Sequence, residues 1–185
     1  MYSAFKYIFA GIIILGIIMT IIHKNSSSHD YIIREAKTAD YPQINQLYID
    51  TIHAVNSNDY TQEQRDLWAP KNQPATNWEK NFINHYVLVA EKNGLIVGFG
   101  DITSDDGYLD HLFVHKDFQG QGIATVLVEH LETYARSLEL PEMYTEASIT
   151  AKPFFEKRGF TVTCKQNKAY KGITFINYIM HKKLE

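Results

Sequence analysis

Cysteine is nearly absent from this chain: Cys164 is the only one in 185 residues. An intramolecular disulfide is therefore excluded, and so is a cysteine-rich metal site. Cys164 lies in a strand-like stretch and reads as a buried, inert thiol rather than a nucleophile. A dominant charge is missing too. Eighteen basic and 21 acidic residues leave a net charge of −3, which gives no reason to expect a nucleic-acid partner. There is no Gly-Lys-Ser/Thr loop and no early Gly-x-Gly-x-x-Gly, so two familiar nucleotide-binding loops are set aside. Among the eight histidines no metal site stands out. His111 and His115 share a strand face but lie too far apart to chelate readily. No internal repeat or long low-complexity tract is evident.

What is present is apolar and aromatic. Hydrophobic residues make up 45% of the chain, with twelve Tyr and ten Phe, which suits one globular domain plus an appendage. The appendage is N-terminal. Tyr7 to Ile22 is almost purely apolar, with Lys6 before it and His23-Lys24 after. Sixteen residues, or nineteen counted from Ala4 across Lys6, is the short end for a membrane span. No small-x-small cleavage site follows, which weakens a secretory-signal reading. Residues 1–24 are expected to be a membrane anchor, 25–30 a polar linker and 31–185 the folded domain. If translation began at Met19, most of the apolar run would be lost and the protein would be cytoplasmic.

Hydrophobic periodicity sketches the domain. Tyr31 to Ala36 reads as a strand. Thr38 or Asp40 caps the helix that follows, with Pro42 in its first turn and Ile44, Leu47, Tyr48 and Val55 on its buried face. A second helix opens at Thr61 and ends near Trp68, and a short helical turn follows Trp78. Strands from Tyr86 to Ala90 and Leu95 to Phe99 flank Lys92-Asn93-Gly94, a hairpin signal. Ser104-Asp105-Asp106-Gly107 then turns into a strand from Tyr108 to Val114. A helix from Ile123 to Leu138, a strand from Met143 to Ser148 and a short helix from Lys152 to Arg158 come next. A hairpin of Phe160 to Cys164 with Ile173 to Met180 closes the chain. The expected class is α/β of the α+β kind, a mixed central sheet flanked by helices.

The most informative stretch runs Val114-His115-Lys116-Asp117-Phe118-Gln119-Gly120-Gln121-Gly122-Ile123-Ala124. A strand enters a Gln/Gly loop that opens at once into a helix. Backbone N–H groups at a helix N-terminus grip a pyrophosphate, and Gly120 and Gly122 let the backbone come close to it. Gln119-x-x-Gly122-x-Ala124 resembles the Gln/Arg-x-x-Gly-x-Gly/Ala motif of the GNAT superfamily of N-acetyltransferases. The element order over residues 31–183 resembles that fold. The resemblance implies that Gln119, Gly120, Gln121, Gly122, Ile123 and Ala124 hold the pyrophosphate of acetyl-coenzyme A, the co-substrate. It implies that Leu112, Phe113 and Val114 pair with the pantetheine arm, with Ser148 on the facing strand and Phe155 covering it. Acetyl-coenzyme A is cytoplasmic, so the domain is expected to face the cytoplasm, at the cytoplasmic membrane if the anchor is real.

Acetyl transfer to an amine poses two proton problems: the amine must be neutral to attack, and the thiolate prefers to leave as a thiol. Asp110, on the strand before the loop, is the leading candidate for the base, at a position where many relatives carry an acidic residue. Glu146 is the reserve. An ideal strand puts Asp110 on one face with Tyr108, Leu112 and Val114. No residue suits covalent catalysis, so the amine attacks directly, with a backbone N–H at Leu112 or Val114 stabilising the oxyanion. One departure concerns the acid. The family's Asn-x-x-Ala-x-x-x-Tyr-Glu-x-x-Gly-Phe reads here from Ser148 to Phe160, and Phe155 in the tyrosine slot has no hydroxyl to protonate sulfur. Tyr144, Tyr170 or solvent would have to serve. The same departure keeps open a different class, a non-catalytic acyl-coenzyme A sensor or membrane adaptor.

On the acceptor side, Thr51-Ile52-His53, Asp59-Tyr60-Thr61-x-Glu63-Gln64 and Leu67-Trp68-Ala69-Pro70 resemble a YafP-like subgroup of the superfamily. So does the closing Phe175-x-Asn177-Tyr178-x-Met180. The resemblance implies that His53, Tyr60 and Trp68 line an acceptor cleft between the first two helices and the sheet. A small-molecule or peptide amine is the expected partner, and the paired C-terminal strands make a homodimer unsurprising.

Overall fold

The computed structural model describes residues 30–185. The expected anchor at 1–24, and all of the linker but Asp30, lie outside the described residues. Among the described residues no helix is long and apolar enough to cross a membrane.

Seven strands form the sheet: β1 (Ile32–Glu35), β2 (His85–Lys92), β3 (Leu95–Thr103), β4 (Tyr108–Val114), β5 (Glu142–Ser148), β6 (Thr161–Tyr170) and β7 (Ile173–Lys183). Their spatial order is β1-β2-β3-β4-β5-β7-β6. Five helices accompany them: α1 (Tyr41–Ala54), α2 (Gln62–Trp68), α3 (Asn77–Asn81), α4 (Ile123–Ser137) and α5 (Lys152–Lys157). Local chemistry sets several of these ends. Thr61 Oγ1 accepts from Gln64 N–H at 3.2 Å while Gln64 Oε1 accepts from Thr61 N–H at 2.7 Å, a reciprocal cap that starts α2. Asn93 and Gly94, both at positive φ, make the β2–β3 turn.

Alternation along the strands divides the apolar residues between two cores. Leu88, Ala90 and Val97 pack with Leu127, Val128 and Leu131 of α4. Val89, Ile96 and Phe99 pack with Ile44, Leu47 and Ile52 of α1 and with Trp78. The start of α4 lies directly on β3. A Cβ at Gly98 would sit 2.8 Å from Ile123 Cγ2 and 3.2 Å from Phe113 O, so only glycine permits the approach.

Two irregularities position the site. The first is a splay: β4 and β5 run parallel but pair only at Tyr108–Tyr144 and Leu109–Thr145. Beyond those pairs β5 follows β7 as far as Ser148–Asn177, and the edge of β4 is left open. The second is a β-bulge. Asp101 pairs with His111 but Ile102 pairs with Leu109, which leaves Asp110 as the extra residue.

The bulge corrects the expected face of Asp110. Leu109, Leu112 and Val114 share the α4 core, so the inward positions step by three across the bulge. Asp110 therefore departs from the Leu112 and Val114 face and turns toward the side of Tyr108 and His111. Cys164 is also corrected, being exposed. It lies on β6, the last strand of the sheet, which continues to Tyr170 instead of ending at Cys164. Its polar run Lys165-Gln166-Asn167-Lys168 hides the strand from an apolar-pattern reading, and lysine on an edge strand discourages further pairing.

Candidate active site

Where β4 and β5 part, a cavity of about 210 Å³ opens, walled by Leu112 and Val114, Ala147 and Ser148, and Phe154 and Phe155. His115 N–H donates to Val97 O at 2.9 Å. By the alternation of an antiparallel ladder, the N–H groups of Val114 and Leu112 then face the open edge. Phe155 is 3% exposed and packs edge-on against Phe154 and Phe160. It is a wall of the cleft.

The Gln/Gly loop closes one end of this cleft. Gly120 and Gly122 have φ of 72° and 80°, and nothing lies within 4 Å of a Cβ built on either. The left-handed backbone calls for glycine at both positions, and the space in front of them is open. Gly122 is the N-cap of α4, and no side chain caps that end, so the first N–H groups of the helix lack intrahelical partners. Gln119 and Ala124 line the cleft. Gln121 is exposed, and the Ile123 side chain is core, so only its backbone is available to the mouth. Gln119 Nε2 donates to Val114 O at 2.5 Å, and Thr51 Oγ1 donates to the same oxygen at 3.2 Å. Loop and α1 are thus pinned to the end of β4.

A second cavity, of about 830 Å³, is bounded by α1, α2, β4 and the β6–β7 hairpin, with Tyr48, Tyr60, Trp68, Phe113 and Phe175 as its aromatic walls. The two cavities meet. Trp68, Asp110, Phe113, Glu146 and Ser148 line both. Asp110 and Glu146, the leading and the reserve candidate for the base, therefore both stand at this junction. Glu146 is committed there: it forms an ion pair with Lys168 and accepts from Asn177 Nδ2 at 3.1 Å. Asn177 lines the cavity, but its Oδ1 is shielded from it and has no hydrogen-bond partner among the described residues.

The three expected acceptor residues separate. Trp68 reaches the junction, packed edge-on against Tyr60 and Phe175. Tyr60 lines the larger cavity, but its hydroxyl donates to Ile176 O and accepts from Ile149 N–H, both at 2.9 Å. Burial pushes that phenol's pKa up. His53 is among the lining residues of neither cavity. Its Nε2 donates to Ala69 O at 2.9 Å, tying α1 to the end of α2. Of the tyrosines named for the acid, Tyr144 donates to Asp106 at 2.6 Å, and burial with that carboxylate pushes it up to about 12. Tyr170 is half exposed on the cavity rim.

Behind Asp110 lies a group of residues that pattern reading missed. Asp101 is fully buried and accepts from His85 Nδ1 at 2.5 Å and from His111 Nδ1 at 2.9 Å. Asp110 Oδ2 lies 3.4 Å from His111 Nδ1. Burial opposes the charge on Asp101, yet the two imidazoles hold its pKa below the ordinary carboxylate value. The hydrogen bond to Asp101 raises His85. His111 is also raised, because Asp101 outweighs the burial that works against its cation. His85, Asp101 and Asp110 bring possible ligand atoms within 4.8 Å of one another, but each oxygen of Asp101 already accepts an imidazole N–H. An aspartate inside the apolar run Leu95-Ile96-Val97-Gly98-Phe99-Gly100-Asp101-Ile102 was the signal available in the sequence.

The fold superposes on those of solved N-acetyltransferases. A GCN5-related N-acetyltransferase from Rhodopseudomonas palustris superposes with a TM-score of 0.78 at 26% identity, covering 83% of this chain and 96% of that one. The PaiA N-acetyltransferase of Thermoplasma acidophilum superposes with a TM-score of 0.67 at 15% identity, covering 83% and 98%. The sequence profile of the acetyltransferase (GNAT) domain matches residues 56–182. The uncharacterised N-acetyltransferase YafP of Escherichia coli (strain K12) is 31% identical over 151 residues, which is 82% of this chain and 95% of that protein. The chain belongs to the GNAT acetyltransferase family.

Proposed function

We propose that this GNAT protein moves an acetyl group from acetyl-coenzyme A directly to a primary amine. The observation that carries the reading is the junction of the two cavities at Asp110, Glu146 and Ser148. The smaller cavity fits the donor. Its open glycine loop and uncapped helix start suit a pyrophosphate, and the unpaired edge of β4 suits an extended, amide-bearing arm that adds to it as a strand would. PaiA was solved with coenzyme A, and YncA of Salmonella typhimurium with acetyl-coenzyme A. Gln119, whose amide is spent on Val114 O, shapes the loop. The loop backbone holds the phosphates.

The larger cavity takes the acceptor. Asp110 meets its ammonium. The walls of Tyr60, Trp68 and Phe175 enclose an apolar body. Leu112 or Val114 N–H polarises the thioester carbonyl and holds the developing oxyanion. Ser148 Oγ already accepts from Ala151 N–H at 3.0 Å and has no role as a nucleophile.

Thiol release by the full chain against a panel of amines, with calorimetric titration of acetyl-coenzyme A, tests the reading. Turnover is expected with at least one primary amine. Asp110→Asn is expected to raise the acceptor KM and lower kcat/KM by about tenfold or more while donor binding persists. Tight binding without turnover for any amine would replace the enzyme by the acyl-coenzyme A sensor that Phe155 favours. Residues 1–24 are proposed as an anchor that leaves the domain on the cytoplasmic side. Recovery of the full chain in the soluble fraction of lysed cells would refute the anchor.

A further inference from the structure

We propose that the proton leaving the acceptor ammonium passes to His111 Nε2, with Asp101 and His85 as positioning residues behind it. The proposal rests on the acetyltransferase reading and adds the group that takes the proton. His111 follows the bulged Asp110 on β4 and lines the acceptor cavity. Its Nδ1 faces Asp101 Oδ1 at 2.9 Å. A carboxylate only accepts, so Nδ1 carries the hydrogen and the neutral ring presents a bare lone pair at Nε2. The second oxygen of Asp101 accepts from His85, so the buried carboxylate is satisfied on both sides and fixed. Rings of Tyr48, Trp78, Phe82, Phe99 and Phe113 surround the imidazole at centroid distances of 5.1 to 6.3 Å.

Geometry favours the imidazole over Asp110 as the proton acceptor. Asp101 holds the Nδ1 hydrogen at 2.9 Å and leaves Nε2 free to take a proton, while Asp110 Oδ2 stands 3.4 Å from Nδ1 as a neighbouring carboxylate. Asp101 also raises the pKa of His111. Asp110, beside it at the cavity junction, holds the ammonium. The charged and titratable groups facing His111 are Asp101 on β3, His85 on β2, Asp110 on β4 and the Tyr48 phenol on α1. That phenol is kept neutral by burial.

The protons balance. The ammonium gives one proton to His111 Nε2, and the freed lone pair forms the C–N bond to the acetyl carbon. The C–S bond breaks with its electron pair leaving on sulfur. The second N–H proton goes to that thiolate, and His111 returns its own to solvent. Products are the N-acetyl amine, coenzyme A thiol and one proton.

The test is kcat and KM as a function of pH for the full chain and two variants. Only neutral imidazole accepts a proton, so wild-type kcat is expected to rise with pH through the His111 pKa. His111→Gln is expected to lose about a hundredfold or more in kcat with acetyl-coenzyme A binding unchanged. Asp101→Asn removes the anion that raises His111, so the acid limb is expected to move to lower pH. Turnover by His111→Gln within about threefold of wild type, with the same acid limb, would overturn the proposal and leave the acetyltransferase reading standing. A wild type that acetylates no amine would overturn both. If the variants fail to bind acetyl-coenzyme A, nitrogen-15 NMR of wild-type histidines decides. Hydrogen on Nδ1 of His111 supports the assignment, and hydrogen on Nε2 of the neutral ring overturns it.

Discussion

Ile102 of β3 pairs with Leu109 of β4, although its neighbour Asp101 pairs with His111. Asp110 is the residue left between them, and this single insertion turns two adjacent ionisable side chains to one cavity. An unbroken strand would send neighbours to opposite faces. The same insertion brings His111 against the buried Asp101. The reactive end of the site is therefore a product of register as much as of residue type.

Gly122 carries the donor side. Its φ of 80° is strained for any residue with a Cβ, and the space before it is open. Gly122→Trp is expected to abolish acetyl-coenzyme A binding in calorimetry while the chain stays folded by circular dichroism. Unchanged binding in that variant would remove the loop from the donor site.

Gly98 acts one layer behind. A Cβ there meets Ile123 Cγ2 at 2.8 Å, Phe113 O at 3.2 Å and Leu127 Cδ1 at 3.3 Å, so a neighbour must shift to admit it. Gly98→Ala is expected to destabilise the fold by about 1–3 kcal/mol and to weaken donor binding, because Ile123 opens α4. Urea denaturation and calorimetry report the two effects. A stability equal to wild type would mean the helix shifts freely.

Tyr60 bridges β7 and the loop after β5 through one hydroxyl. Tyr60→Phe leaves Ile176 O and Ile149 N–H without it, at a cost of about 1–3 kcal/mol. Thermal denaturation is expected to show the loss, with the acceptor KM raised because the cavity wall loosens. A variant as stable as wild type would show that water replaces the hydroxyl at no cost.

The buried Asp101 and the part-buried His85 and His111 bonded to it also set a pH dependence of stability. Both histidines have raised pKa values in the fold. Their contribution is full below the unfolded value of about 6.5 and is lost as pH rises through the folded values. Asp101 is depressed, so its contribution is full above about 3.9 and is lost as pH falls through its folded value. Stability is thus expected to decline from neutral toward alkaline pH. The double variant His85→Gln/His111→Gln is expected to flatten that decline in urea titrations, and an unaltered slope would contradict it.

Much of this was legible in the sequence, for identifiable reasons. Asn93-Gly94 fixes a hairpin by local φ, and Gln119 to Ala124 fix a loop and helix start by glycine placement, so both could be read from neighbours alone. The splay of β4 from β5 and the bulge at Asp110 depend on cross-strand register, which no local pattern records. The family resemblance put His53 in the acceptor cleft, but its partner is the backbone carbonyl of Ala69 at the end of α2, which no local pattern records. Asp101 was visible as an anomaly in an apolar strand, but its meaning required His85 and His111, sixteen and ten residues away in sequence.

The account turns on donor and acceptor meeting at Asp110, and a structure of the full chain with acetyl-coenzyme A bound tests this most directly. The expected result places the pyrophosphate on the backbone from Gln119 to Ala124 and the thioester at the junction of Asp110, Glu146 and Ser148. Its carbonyl oxygen should lie within hydrogen-bond reach of Leu112 or Val114 N–H. A coenzyme bound outside the splay, or a thioester turned away from the larger cavity, would contradict it.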